Sequence, residues 1–377
     1  MQLPRSVVLV GTYPPTACGL ATFTSNLRSV IAAPGSGWTA HVVRRVDSPG
    51  APLHEPVIEE WVTGDDCSLS RALDAVLPYD ALLLQHEYGI YGGPDGADVV
   101  RFVDELKIPL IAGLHTALRD PSPNQRRILD RILEVAAVTV VQSNAARRRL
   151  LDVHGLDPSR VVVIPHGAAA NFDGPVPDGY SGPVVLTWGL LSPGKGIEHG
   201  IRALAALGDR RPAATYVVAG QTHPKVRAAR GECYREELRV LAGELGVADR
   251  VHFDDEYRDW GSLRALVRRA DVVLLPYDSR DQVSSGVLVE ALASGKPVVA
   301  TRFPHAEELL ARGAGVLVPH GDSGAMAEAL AGILYEPGTA DAMAAAARRE
   351  AVPLLWPAVG SAYRSLIGGL VEDRLVG

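Results

Sequence analysis

Twelve short apolar runs, rich in Val, Ile and Leu, recur along the 377 residues with helix-spaced stretches between them. Six fall in the first half, at Ser6–Val10, His41–Val46, Ala81–Gln85, Ile108–Gly113, Ala137–Gln142 and Val161–Pro165. Six more follow, at Pro183–Trp188, Thr215–Ala219, Arg250–Phe253, Asp271–Pro276, Pro297–Thr301 and Gly315–Val318. Near-continuous apolar strands alternating with helices call for parallel sheets covered on both faces. Two such series predict an α/β chain of two doubly wound, Rossmann-like domains. The break is expected near 168–182, where Asn171-Phe172-Asp173-Gly174-Pro175-Val176-Pro177-Asp178-Gly179 has no periodicity and reads as a linker. Pro353–Leu375 reads as an amphipathic helix anchored by Trp356, Tyr363, Leu366 and Leu370 that crosses back to the first domain. The expected domains are therefore 1–170 with about 355–377, and 180–354.

Composition excludes several classes. A net charge of −7 without a basic stripe gives no footing for nucleic acid. The run Arg147-Arg148-Arg149 reads as a solvated helix face. Cys18, Cys67 and Cys233 form neither a disulfide framework nor a zinc spacing, which suits a reducing compartment. Met1-Gln2-Leu3-Pro4-Arg5 leads into a strand without a signal-peptide layout. No apolar run approaches the roughly 20 residues of a membrane span, so a cytoplasmic location is expected. Four lysines stand against 33 arginines, the ratio of a G+C-rich bacterial gene, so a lysine kept in a loop is a candidate for function.

Ligands of open α/β sheets bind beyond the carboxyl ends of the strands. The densest signal of that kind is the segment from Asp281 to Pro297, after the strand that ends at Pro276. Ser284 or Ser285 is a candidate N-cap, and Gly286 allows close approach of a ligand to the backbone. Val287, Leu288, Ala291 and Leu292 make the apolar face of a helix stopped by Gly295 and Pro297. Amides at Ser285, Gly286, Val287 and Leu288 would suit a diphosphate, with Glu290 one turn in to accept from ribose hydroxyls. A capped crossover helix with Glu290 as a solvated charge accounts for the same residues equally well. Trp188 leads into Gly189-Leu190-Leu191-Ser192-Pro193-Gly194-Lys195-Gly196, close to a Walker A loop. Gly196 stands where that loop needs the Mg²⁺-binding hydroxyl, and Pro193 suits its wrap poorly, which argues against an ATP-hydrolysing P-loop.

These two segments resemble the signature of the retaining, GT-B-fold glycosyltransferases of family 4. Glu290 and Gly295-Lys296-Pro297-Val298 match the second of that family's two glutamates and the turn after it, and Lys195-Gly196 matches its Lys-Gly. The chain departs from the pattern twice. Gln282 takes the place of the first glutamate, and Leu190 the place of an arginine that grips the donor phosphates beside the lysine. The resemblance implies a GT-B fold with an intervening cleft, and donor contacts at Gly189, Lys195, Ser285, Gly286, Val287, Leu288 and Glu290. It further implies that Gln282 and His115 hold the donor sugar, and that Gly19 belongs to a glycine loop facing the phosphates. That loop, Gly11 to Phe23, contains Ala17; a glycine serving only the turn would read identically. His115 follows a strand, as do His86, Glu87 and Tyr88, which are candidates for lining an acceptor pocket.

The reaction this resemblance implies is transfer of a sugar from a nucleoside diphosphate sugar to a hydroxyl acceptor, with configuration retained. The catalytic set is His115, Lys195, Gln282 and Glu290. GDP-mannose is the preferred donor and a UDP-sugar the next, with base selection near Phe253–Tyr257. No metal or other cofactor is expected, since helix amides and a lysine meet the phosphate charge and no Asp-x-Asp motif occurs. Leu190 and Gln282 keep open a catalytically impaired protein that only binds a nucleotide sugar. A sugar-nucleotide epimerase or a phosphorylase on the same fold is the other alternative. A periplasmic sugar-binding protein also has two such lobes, but lacks support without a signal layout.

Overall fold

The computed structural model describes residues 5–376 apart from 17, 51, 178 and 257, with side chains as far as 372. Ala17, Asp178 and Tyr257, named above, lie outside the described residues, as does the side chain of Leu375. The chain divides into two compact units, residues 1–167 with 356–377 and residues 168–355.

The first unit is built on β1 (Arg5–Gly11), β2 (Trp38–Val46), β3 (Val57–Val62), β4 (Ala81–His86), β5 (Leu110–Leu114), β6 (Val138–Val141) and β7 (Val161–Val163). Its helices are α1 (Gly19–Ile31), α2 (Asp66–Val76), α3 (Asp98–Glu105), α4 (Pro123–Val135) and α5 (Asn144–His154). The strands run in the order β3-β2-β1-β4-β5-β6-β7, every pairing parallel. The winding therefore reverses between β1 and β4, the point at which such sheets open to ligands.

β3 has no counterpart among the twelve expected strands. Its sequence, Val57-Ile58-Glu59-Glu60-Trp61-Val62, carries two glutamates in the middle and pairs on one side only. An edge position keeps these charges affordable: Glu60 bonds Arg44, and Glu59 lies 3.6 Å from Arg71. The arginine run at 147–149 is also not a solvated face. Arg147 donates to the carbonyls of Val161 and Pro158, and Arg149 is buried with its Nη1 2.8 Å from the Ala117 carbonyl. Two of the three guanidinium groups tie α5 to β7 and to neighbouring turns, leaving Arg148 exposed.

The second unit contains β8 (Val184–Trp188), β9 (Thr215–Ala219), β10 (Val251–Asp254), β11 (Val272–Leu275), β12 (Val298–Thr301) and β13 (Gly315–Val318). Its helices are α6 (Ile197–Ala206), α7 (Pro224–Arg230), α8 (Cys233–Glu244), α9 (Trp260–Arg269), α10 (Gly286–Ala293), α11 (Pro304–Leu310), α12 (Ser323–Tyr335) and α13 (Thr339–Ala351). The all-parallel order β10-β9-β8-β11-β12-β13 reverses between β8 and β11. Alternate side chains of one strand feed opposite faces: Val184, Leu186 and Trp188 join one apolar cluster and Val185 the other. The expected linker is fastened to this unit. Asn171 is buried and its Nδ2 donates to Ser294 Oγ and the Arg264 carbonyl, both at 3.0 Å.

The last helix, α14 (Trp356–Val376), belongs to the first unit. Trp356, Val359, Tyr363 and Ile367 are its buried stripe. Leu366 and Leu370 are only half-buried, so the expected anchor face is one residue out of phase beyond Tyr363. The Trp356 ring lies flat enough on Gly167 that a Cβ there would sit 2.2 Å from it, and it meets the Phe23 ring at 5.5 Å. Arg364 Nη1 donates to the Val30 carbonyl at 2.6 Å, fixing α14 along α1.

Candidate active site

In the second unit, the reversal between β8 and β11 gathers Gly189, Lys195, the start of α10 and Glu290 at the carboxyl ends of two adjacent strands. A Cβ on Gly189 would lie 4.0 Å from Val287 Cγ2, so the loop after β8 abuts the first turn of α10. Gly196 closes that loop in the left-handed region at φ 64°, and a Cβ there would fall 1.8 Å from the Pro276 carbonyl. Glycine is therefore dictated by the close crossing of two loops. The turn sets the half-buried Lys195 with its Nζ 4.4 Å from the centre of the Tyr277 ring, a cation held against an aromatic face.

Ser285 is the N-cap of α10, its Oγ accepting from the Leu288 amide at 3.3 Å. Its own amide donates to His305 Nδ1 at 2.8 Å. The row of four expected free amides thus narrows to two. Among the described residues, the Gly286 and Val287 amides have no protein acceptor. His305 is a site residue the sequence reading missed. It lies just after β12, is buried, and also donates its amide to the Gln282 carbonyl at 3.3 Å, so it pins both ends of the turn.

Glu290 points to Trp188, whose Nε1 donates to its carboxylate at 3.4 Å. Burial pushes this carboxyl up from its ordinary 4.5 to about 7, and the indole bond opposes that rise. It is therefore a desolvated acid, held above the usual carboxylate range while the residue keeps some exposure, rather than the solvated charge of the bland alternative. Trp188 was not among the expected site residues; a tryptophan closing a strand next to a glycine loop was the available signal. Gln282 donates its Nε2 to the Ser284 carbonyl at 3.0 Å, which orders the turn internally. Leu190 is half-buried and brings no charge.

The first unit presents a second polar constellation at its strand ends. His115, immediately after β5, is bracketed by two amides: Nε2 donates to Gln85 Oε1 at 2.7 Å, and Nδ1 accepts from Gln142 Nε2 at 3.1 Å. Burial first, then the nearby His166 and His86 rings, hold its pKa down to about 3. His115 is therefore neutral with both nitrogens engaged, which suits orientation and not proton transfer. His166, after β7, was missed by the sequence reading. It donates Nδ1 to the Gly167 carbonyl at 2.8 Å, and burial lowers it to about 4. Phe23 touches both rings, at 4.8 and 4.9 Å.

Gly19 opens α1 behind Cys18, whose Sγ accepts from the Ala21 amide at 3.3 Å. A Cβ on Gly19 would meet nothing within 4 Å, so packing does not require glycine there. Of the expected acceptor trio only His86 is fully buried, and Glu87 and Tyr88 are half-buried. His86 is 1% exposed, Tyr88 donates to the Gln125 carbonyl at 3.3 Å, and Glu87 accepts from Thr116. Among the described residues one trio, Glu198, His199 and Asp278, brings possible metal-ligand atoms within 4.8 Å of one another. Glu198 already accepts from Tyr234 at 2.9 Å, and His199 lies 3.2 Å from Asp278. No described helix is long and apolar enough to cross a membrane.

Residues 179–350 match the profile of glycosyl transferases group 1, and residues 19–171 that of glycosyltransferase family 4. A D-inositol 3-phosphate glycosyltransferase of Corynebacterium glutamicum (strain R) is 31% identical over 297 residues, 72% of this chain and 69% of the relative. A GDP-mannose-dependent alpha-(1-6)-phosphatidylinositol monomannoside mannosyltransferase of Mycolicibacterium smegmatis is 31% identical over 270 residues, 67% of each chain. A sucrose-phosphate synthase from Thermosynechococcus elongatus shares the fold, with a TM-score of 0.78 at 20% identity over 98% of this chain and 100% of that one. The two doubly wound units, the loop and helix that meet at the β8/β11 reversal, and these matches lead to one assignment: the chain is a GT-B-fold member of the group 1 glycosyltransferases of family 4.

Proposed function

We propose that the protein transfers a sugar from a nucleoside diphosphate sugar to a hydroxyl acceptor with retention of configuration, using the β8/β11 end of the second unit as its donor site. The observation that carries this reading is the junction of the Lys195 loop with the first turn of α10, where the Gly286 and Val287 amides lack protein acceptors. Two adjacent amides at a helix start and an ammonium group match the chemistry of a diphosphate. Glu290, one turn further, would accept from the ribose hydroxyls, and Gln282 would hold the sugar. In the reaction the bond from the anomeric carbon to the diphosphate oxygen breaks, and its electron pair leaves with the diphosphate. The acceptor oxygen forms the new bond on the same face, and its proton passes to the departing phosphate. Lys195 and the two amides stabilise the charge that develops there. With those groups in place the step is proposed to need no metal.

GDP-mannose is the first donor to test, supported by the mannosyltransferase relative, and UDP-sugars are next. The names of the relatives make inositol phosphates and phosphatidylinositol the first acceptors to try. The test is a thermal-shift screen of GDP, UDP, ADP and their sugars against wild type, Lys195→Ala and Glu290→Ala. A ligand at 100 times its dissociation constant adds about 2.7 kcal/mol of stability. The reading requires one nucleotide series to stabilise the wild type and to lose most of that effect in both variants. Equal stabilisation of all three proteins would place the nucleotide elsewhere.

A further inference from the structure

The family pattern places an arginine beside the lysine, and this chain places Leu190 there, so one cation faces a diphosphate with at least two negative charges. The fold offers a replacement from the neighbouring strand. β9 lies next to β8, and the loop after β9 is laced to the loop after β8: the Leu191 amide donates to the Gln221 carbonyl and the His223 amide to the Leu191 carbonyl, both at 2.8 Å. Leu191 and Thr222 form an isolated parallel bridge at the same place. The β9 loop is braced from behind, since Arg235 donates to the Gly220 carbonyl at 2.8 Å and Thr222 donates to Glu232. Two residues beyond His223 stands Lys225, whose amide donates to His223 Nδ1 at 3.2 Å.

Lys225 is exposed, and among the described residues its ammonium group makes no ion pair. Its arginine neighbours on the same flank are all engaged: Arg227 and Arg235 with Glu232, and Arg230 with Glu237. Lys225 and Lys195 are two of only four lysines in a chain that otherwise uses arginine. Both act on one imidazole, that of His223, which burial first and then the two ammonium groups hold below its ordinary value. The two lysines therefore occupy one electrostatic neighbourhood, Lys195 on the loop after β8 and Lys225 in the first turn of α7, where the joined β9 loop ends.

The geometry points to Lys225 as the second cation of the donor site, meeting the diphosphate of a nucleoside diphosphate sugar in place of the arginine that Leu190 replaces. This rests on the donor-site reading given above. A flexible ammonium group reaching in from the first turn of α7 would supply charge without the bidentate fork of a guanidinium. It suits a site that must release the diphosphate after each turnover.

The test is titration calorimetry of the full chain with GDP, UDP, guanosine and uridine at low and high salt, on wild type, Lys225→Ala, Lys225→Arg, Lys195→Ala and the double variant Lys225→Ala/Leu190→Arg. Lys225→Ala should weaken the preferred diphosphate by about tenfold at low salt, less at high salt, and leave the matching nucleoside unchanged. Lys225→Arg should bind within about twofold of wild type, and Leu190→Arg should restore most of the loss in the double variant. The melting temperature of Lys225→Ala should not move, because its side chain is exposed and, among the described residues, makes no ion pair. If Lys225→Ala binds like wild type while Lys195→Ala is impaired, the inference fails and the donor site stands. An equal loss for nucleoside and diphosphate overturns it too. If neither lysine variant affects binding, the donor-site reading falls with it.

Discussion

Glu290→Gln isolates the electrostatic cost of the carboxylate that Trp188 faces. The folded chain holds this acid near pKa 7 against an ordinary 4.5, chiefly because burial disfavours the ion. A tenfold change in an acid constant is worth about 1.4 kcal/mol, so at pH 8 the ionised carboxylate costs the fold about 3 kcal/mol, an upper figure because the residue keeps some exposure. The sign follows from the raised value. The folded state binds this proton more tightly than the unfolded state, so the group's own contribution is most favourable below pH 4.5 and is lost as pH rises through 7. Glutamine keeps an acceptor for the indole and cannot ionise, so its advantage over wild type should grow with pH. The gap should be under about 1 kcal/mol at pH 5 and approach 3 at pH 8. For a unit of this size that is a difference in melting temperature of about 6–12 °C at pH 8. Scanning calorimetry of both proteins between pH 4.5 and 8 measures it directly. A difference that stays constant across that range would refute the account of Glu290 as a desolvated acid. If ribose hydroxyls donate to the carboxylate as proposed, they would lower its pKa, and donor binding near pH 7 should release a fraction of a proton. Calorimetry in buffers of different ionisation enthalpy reads that number.

Four further outcomes follow. Gly196→Ala must place a Cβ 1.8 Å from the Pro276 carbonyl at a positive φ, so it should lower stability by at least about 2 kcal/mol in denaturant unfolding. Trp356→Ala removes the ring wedged between Gly167 and Phe23 and should cost about 3–5 kcal/mol, seen as selective loss of hydrogen-exchange protection in α1 and β1. His115 stays neutral down to about pH 3, so pH–rate profiles should show no limb from it between pH 5 and 8. His115→Ala should cost about 1–3 kcal/mol by stripping Gln85 Oε1 of its donor.

The strands were legible where burial on both faces makes the sequence continuously apolar. Thr215–Ala219 and Gly315–Val318 are read to the residue. β3 was not, because an edge strand can carry Glu59 and Glu60 in its middle, and no run of apolar residues announces it. In α14 the amphipathic period was visible but its phase was not: Trp356 and Tyr363 fit two stripes, and packing on α1 chose Val359 and Ile367 over the leucines. The segments proposed to bind the donor stood out because each is a local string following a strand. Their partners did not. Trp188 reaches Glu290 across 102 residues and His305 reaches Ser285 across 20, and only sheet order brings those strand ends together. The same gap explains why amides that looked free in sequence are partly spoken for, and why His115, which looked like an open strand-end histidine, is clasped by Gln85 and Gln142.

The return of α14 to the first unit has a consequence for synthesis. The first 167 residues leave the ribosome long before residue 356, with all of the second unit translated in between. At 5–20 residues per second that interval is about 10–40 s. Throughout it, the flank of α1 bearing Phe23 and Val30 waits without the tryptophan and arginine that later cover it. The half that is made first is thus the half that finishes last, and a nascent-chain chaperone would find its client surface on α1.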